Sequence, residues 1–155
     1  MMRIMRVASS FAASALLVAG LSACAATVNL EAAPLANDPA CAEVIVRLPD
    51  ALDNLAKRTT NAQSTSAWGE PAAVILRCGL EPVEVSKLTC VTSSGVDWLV
   101  DDSDSPNYRF ITFGRNPATE VIVDSTKIAG VTALDALASA VSKIAPTKQC
   151  TYLPD

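Results

Sequence analysis

The chain contains no histidine. That absence excludes Ser-His-Asp and Cys-His nucleophilic catalysis and every metal centre built on imidazole. Aromatic residues are scarce at 5%, so aliphatic side chains must supply the core. Charged residues make up 18% of the chain and hydrophobic residues 50%, a balance that suits a folded domain rather than a disordered segment. No Gly-x-Ser-x-Gly, Ser-x-x-Lys, P-loop or Gly-x-Gly-x-x-Gly run occurs, and no Cys-x-x-Cys; hydrolase, nucleotide and zinc signatures are therefore missing, and no cofactor is expected. The run of apolar and small residues from Val7 to Leu21 falls short of the ~18–20 residues that span a bilayer. Positive charge is also short. Beyond residue 23 the chain keeps ten Lys and Arg against 16 Asp and Glu, a net charge of −6. That disfavours nucleic acid, and equally adhesion to anionic lipid by charge alone.

What is present begins at the N-terminus. Met1 to Arg6 carries two arginines and no acid, the apolar stretch follows, and then comes Leu21-Ser22-Ala23-Cys24. A charged start, a short apolar segment and small residues before a cut describe a secretory signal peptide over residues 1–23. The separated Arg3 and Arg6 favour the general secretory route over a twin-arginine one. The tetrad ending in Cys24 resembles the bacterial lipobox, whose cysteine is alkylated with diacylglycerol and becomes the acylated, palmitate-type N-terminus. The resemblance implies an exported lipoprotein held on the extracytoplasmic face of the cell membrane. The competing reading is an ordinary signal peptide cut nearby, with Cys24 left free.

Cysteine arithmetic bears on that choice. Setting Cys24 aside leaves Cys41, Cys78, Cys90 and Cys150, an even set suited to an oxidising compartment. Three connectivities exist. Cys78–Cys90 with Cys41–Cys150 is favoured, the first to join neighbouring strands and the second to tie the domain's start to its end.

Residues 24–37 read as a lipidated N-terminus and tether, and 38–155 as one globular domain. Asp38 can cap a helix with Pro39 at its first position, and Cys41, Val44, Ile45 and Leu48 share a face. Asp50 can cap a second short helix with Leu52, Leu55 and Ala56 inward. Thr59 to Ser66 reads as a polar loop. Five strands are expected: Ala73–Cys78 covered on both faces, Lys87–Thr92, Val96–Val100, Tyr108–Phe113 and Glu120–Asp124. Thr132 opens a final helix with Asp135 completing a near capping box; Leu134, Leu137, Ala138 and Val141 face inward and Pro146 stops it. The fold class expected is α+β: a mainly antiparallel sheet of about five strands, two short N-terminal helices and one C-terminal helix, stapled by disulfides.

Four clusters stand out: Trp68-Gly69-Glu70-Pro71, Arg77-Cys78-Gly79, Gly95-Val96-Asp97-Trp98 and Gly114-Arg115-Asn116-Pro117. With the lipobox and the terminal cysteine, they resemble a family of actinobacterial secreted lipoproteins catalogued as a domain of unknown function, over about Cys41 to Cys150. The resemblance implies architecture and location, and no activity. Trp68, Arg77, Asp97, Trp98 and Arg115 are the candidate ligand surface, weighed against core packing for the tryptophans and ion pairing for the arginines with Glu70, Asp97 or Asp101. Asp101 to Asn107 fails the EF-hand loop pattern and reads as a solvated hairpin tip; no metal is expected. The functional expectation is a non-enzymatic binding or accessory protein of the cell envelope, with a protein, glycan or lipid partner. The alternative is a cell-wall glycan hydrolase using paired carboxylates, with Asp97 and Glu70 first in line.

Overall fold

A computed structural model describes residues 26–151. The expected signal peptide and Cys24 lie outside the described residues. The first helix, α1 (Pro39–Ile45), forms as its sequence dictates: the Asp38 carboxylate accepts from the Ala40 N–H at 2.8 Å, Pro39 sits in the first turn, and Cys41 and Val44 are fully buried.

The second expected helix is instead a hairpin. Strand β1 (Ala51–Leu52) pairs with β2 (Leu55–Arg58), and Leu52 lies opposite Leu55. Asp53 takes a left-handed φ of 52° and closes a two-residue loop with Asn54. Short polar residues tolerate that conformation, so Asp-Asn between two leucines favours the hairpin over a helical turn. The expected polar loop contributes a third strand, β3 (Thr65–Trp68), buried along its whole length between β2 and the next strand. Its polarity is absorbed locally: the Thr65 hydroxyl bonds the Ala62 carbonyl oxygen at 2.6 Å. These three strands explain why the sheet has eight strands rather than five.

The remaining strands fall near their expected places: β4 (Val74–Leu80), β5 (Thr89–Ser93), β6 (Val96–Asp104), β7 (Asn107–Thr112) and β8 (Ala118–Asp124). Strand β4 is not covered equally on both faces; Val74, Leu76 and Cys78 are buried, while Ile75 and Arg77 are half-buried. The final helix, α2 (Gly130–Val141), starts two residues earlier than expected. Ala129 caps it without a side-chain bond, and Asp135 accepts from the Ser93 and Ser94 hydroxyls instead of closing a capping box.

The sheet order is β1-β2-β3-β4-β8-β7-β6-β5, antiparallel throughout. Its inner face carries Trp68, Val74, Leu76, Val121, Val123, Phe110 and Trp98 against α1 and α2, and this is the main core. The outer face carries Ile75, Arg77, Glu120, Ile122 and Arg109, with a smaller apolar cluster of Leu99, Ile111 and Ala118 under Leu80 and Val83.

Both disulfides differ from the favoured pairing. Cys41 is bonded to Cys78, tying α1 to β4, and Cys90 to Cys150, tying edge strand β5 to the C-terminal segment; the Cα separations are 5.6 and 5.9 Å. Cys78–Cys90 fails because β4 and β5 are not neighbours. Strands β8, β7 and β6 lie between them, and Cys78 faces the helices whereas Cys90 packs on the outer face. Bridging needs Cα atoms within ~7 Å.

Residues 26–36, expected as a tether, lie on the sheet as a strap. Val28 bridges Thr60, the Leu30 N–H donates to Asn61, and the Leu35 N–H donates to the Gly79 carbonyl oxygen at 2.7 Å. Ala33 and Ala36 are buried. Glycine at position 79 permits this approach: a Cβ there would meet the Ala36 nitrogen at 2.4 Å.

Candidate functional site

The five residues singled out as a ligand surface are not brought together. Trp68 on β3 and Trp98 on β6 are both fully buried in the main core. The Trp68 indole N–H donates to the Pro49 carbonyl oxygen at 3.0 Å, whereas the Trp98 N–H has no partner among the described residues. Arg77 points out from β4 on the opposite face. Asp97 and Arg115 do share a lined cavity of about 360 Å³ with Thr92, Phe113 and Gln149, but both are engaged in holding the C-terminal segment. Asp97 accepts from the Thr92 hydroxyl at 2.6 Å and from the Cys150 N–H at 2.7 Å. Arg115, 3% exposed, donates to the Ile144 carbonyl oxygen. Burial pushes the Arg115 guanidinium below its ordinary value, and the Asp97 charge works against that shift.

Each of the four clusters thus fixes a chain end or turn. Gly69 and Gly95 turn hairpins at φ 93° and 77°. Arg77-Cys78-Gly79 receives the Cys41 disulfide and the strap. Gly114, at φ 69°, lies so close to the C-terminal segment that a Cβ would meet the Lys148 carbonyl oxygen at 2.1 Å. Pro71 and Pro117 follow cis peptide bonds at these turns.

The carboxylates proposed as a hydrolytic pair are also apart. Glu70 lies in the β3–β4 turn and is paired with Arg58, while Asp97 begins β6. Through the antiparallel order, the β3–β4 turn and the start of β6 fall at opposite ends of the sheet. The Asp101–Asn107 segment forms the β6–β7 hairpin tip as expected, with the Asp101 carboxyl held below the usual carboxylate range by the Ser103 hydroxyl and N–H and then by Arg109. Among the described residues no group of three metal-ligating side chains gathers.

The outer face holds what the sequence reading missed. Glu120 on β8 is 2% exposed and lies opposite Arg77 in register. Arg77 Nε and Nη2 donate to its Oε2 at 2.8 and 2.7 Å, and Arg109 Nε on β7 donates to its Oε1. One buried carboxylate therefore locks three strands through two half-exposed guanidinium groups, a charge-assisted arrangement. Beside it a groove of about 470 Å³ runs between the strap and the sheet, lined by Asn29, Leu30, Glu31, Ile75, Arg77, Glu120 and Ile122. Ile75 and Ile122 supply an apolar floor and the strap a polar wall. Both Glu120 oxygens accept from guanidinium donors. Glu31 adds a second carboxylate to a lining whose single arginine, Arg77, is already paired with Glu120, so the groove matches a ligand of mixed polar and apolar character better than a bare anion. The signal for it was in the alternation. Glu120 precedes buried Val121 and Val123 with opposite facing, and Arg109 alternates with Phe110.

An antiparallel sheet backed by two helices, with two disulfides and both ends of the described segment held onto it, defines a small disulfide-stapled α+β protein. The chain belongs to the family described as Protein of unknown function (DUF3515), whose profile matches residues 4–150. No curated protein and no solved structure matches the chain.

Proposed function

We propose that this protein is an exported envelope lipoprotein of the kind found in actinobacteria, held at the extracytoplasmic face of the membrane by lipid on Cys24. In this reading it acts without catalysis, binding an envelope protein or glycan in the groove between strap and sheet. The observation that carries the anchor is the cysteine pairing: the other four cysteines bond one another, so none remains for Cys24. Both disulfides suit an oxidising, exported setting. No helix among the described residues is long and apolar enough to cross a membrane; the reading assigns attachment to two or three acyl chains, each burying CH₂ groups worth ~0.8 kcal/mol apiece. The groove supports the binding role because it joins an apolar floor to oriented guanidinium donors on rigid strands.

The anchor is tested by fractionation. Cys24→Ala should move the protein from the membrane fraction to the medium; identical fractionation of variant and parent overturns the assignment. The groove is tested by crosslinking in intact cells. Ile122→Trp fills the floor from a half-buried position and should remove a crosslinked adduct that the parent chain forms. An adduct of unchanged yield would place the partner elsewhere.

A further inference from the structure

We infer that a second site, an apolar cleft on the inner face of the sheet, takes an acyl chain from a bilayer lipid. The cleft has a volume of about 380 Å³ and is lined by Val91, Val100, Tyr108, Phe110 and Val123, with Ser125 and Gly130 at its rim. That volume lies within the ~300–1,000 Å³ range of small-molecule sites. Tyr108 is the only titratable group in the lining. Val91, Val100 and Tyr108 are half-buried, so their apolar sides face the opening, and Val131 in the first turn of α2 is 60% exposed nearby in sequence to Gly130. Gly130 keeps the mouth narrow, since a Cβ there would meet the Phe110 ring at 2.9 Å.

The occupant follows from where the chain leaves the structure, and this step rests on the Cys24 anchor. The Ala26 carbonyl oxygen is held by Arg58 Nη2 at 2.5 Å, and Arg58 Nη1 donates to the Gly69 carbonyl oxygen in the β3–β4 turn. A single residue, Ala25, lies between Ala26 and Cys24, so the two Cα steps reach at most ~7 Å. The sheet end that carries the β3–β4 turn is thereby kept at the membrane surface. Antiparallel order puts the start of β7 and the end of β8 at this same end, and these carry Tyr108, Val123 and Ser125 of the cleft. An apolar cleft held at a bilayer surface is favoured to take up hydrocarbon in place of water. The anchor's own chains are the more distant source: they depart beside β2, four strand spacings from β7 in sheet order, or ~19 Å along the sheet.

The test uses the secreted Cys24→Ser chain, which carries no lipid of its own, titrated with the fluorescent fatty acid cis-parinaric acid. Saturable binding of one probe per chain is expected. Val91→Trp, which fills the cleft from edge strand β5, should weaken it at least tenfold while far-UV circular dichroism stays unchanged. A second variant, Ser125→Trp at the rim, should do the same, so loss of fold in either one leaves the other decisive. Absent saturable binding, or equal binding by folded variants, overturns the inference. Separately, vesicles carrying a photoreactive acyl chain should label cleft residues in the anchored parent, and labelling confined to residues outside the cleft counts against it. Probe binding with a Cys24 variant that stays on the membrane would instead reject the anchor and leave the cleft standing.

Discussion

Glu120→Gln tests whether the outer-face ion cluster holds the sheet together. The substitution keeps side-chain volume, so no cavity forms and the change is electrostatic. Glu120 has a side chain 3% exposed, while Arg77 and Arg109 are 32% and 38% exposed. Removing one partner of a fully buried pair costs ~3–5 kcal/mol because the other charge is left stranded. Here the arginines can turn partly into water, which discounts that figure. Hydrogen bonds to charged groups contribute ~1.5–3 kcal/mol each, and the amide still accepts from one arginine while its NH₂ confronts the other. The expected loss is therefore about 2–3 kcal/mol. With a urea m-value of ~1–3 kcal/mol/M, the unfolding midpoint should fall by about 0.7–3 M at unchanged m. The triple variant Arg77→Met, Glu120→Leu, Arg109→Met removes all three charges and should return to within ~1 kcal/mol of the parent. A single-variant loss below ~0.5 kcal/mol, the size of an ordinary surface change, refutes the argument that Glu120 is a structural counter-ion.

Three further outcomes follow from named contacts. Gly79→Ala combines a φ of 107° with a Cβ 2.4 Å from the Ala36 nitrogen; it should cost about 2–4 kcal/mol and open the strap to limited proteolysis, whereas Gly95→Ala, with nothing within 4 Å, should cost only the backbone strain of ~1–2 kcal/mol. Removing Cys90–Cys150 or Cys41–Cys78, which close spans of 60 and 37 residues, should each cost up to about 4 kcal/mol by the chain-entropy relation, with the two within ~0.5 kcal/mol of each other; peptide mapping without reduction should recover these pairs, and a Cys78–Cys90 peptide would contradict the topology. Asp135 is held below the usual carboxylate range by the Ser93 hydroxyl and then that of Ser94. A depressed folded pKa contributes stability above the unfolded value of ~3.9 that is lost as pH falls through the folded one, so the gap between melting curves of the parent and Asp135→Asn should narrow progressively as pH falls below about 4, and a gap that stays constant or widens on acidification counts against the hydroxyl bonds.

The parts legible from sequence were those set by local physics. Asp38-Pro39 capped α1, the alternation around Trp98 and Val121 placed β6 and β8, and the spacing of Leu134, Leu137, Ala138 and Val141 gave the buried face of α2. The failures lay where tertiary contacts decide. Residues 50–58 hold leucines at a spacing that fits one helical turn or a tight hairpin, and the left-handed Asp53 chose the hairpin. Thr65 and Ser66 look solvated but are buried between neighbouring strands. The disulfide partners depended on sheet order, which no local pattern encodes. Arg77 was expected in a ligand surface or paired with Glu70, Asp97 or Asp101; its partner is Glu120, 43 residues on and adjacent only once β8 inserts beside β4.

The strap and its staple fit together under the anchored reading. Load from a membrane-bound Cys24 would enter the domain at Ala26 and pass along residues 28–36. Those residues are held by a bridge from Val28 to Thr60, by Asn61, by the Gly79 carbonyl oxygen, by the Ser64 hydroxyl donating to the Ala36 carbonyl oxygen, and by the burial of two small side chains, Ala33 and Ala36. Such scattered hydrogen bonds contribute only ~0.5–1.5 kcal/mol apiece, and a strap that peels releases them one at a time. The covalent stop comes at Cys41, at the far end of the strap, bonded to Cys78 in the central strand β4. Peeling beyond that point requires breaking a disulfide, so strap release and domain unfolding are separate events. At Gly79, beside Cys78, the strap backbone lies too close to β4 for any side chain. The Arg77-Cys78-Gly79 cluster therefore combines a strand-locking ion pair, the staple and the strap's seat in three consecutive residues. This gives the cluster a mechanical explanation that needs no ligand.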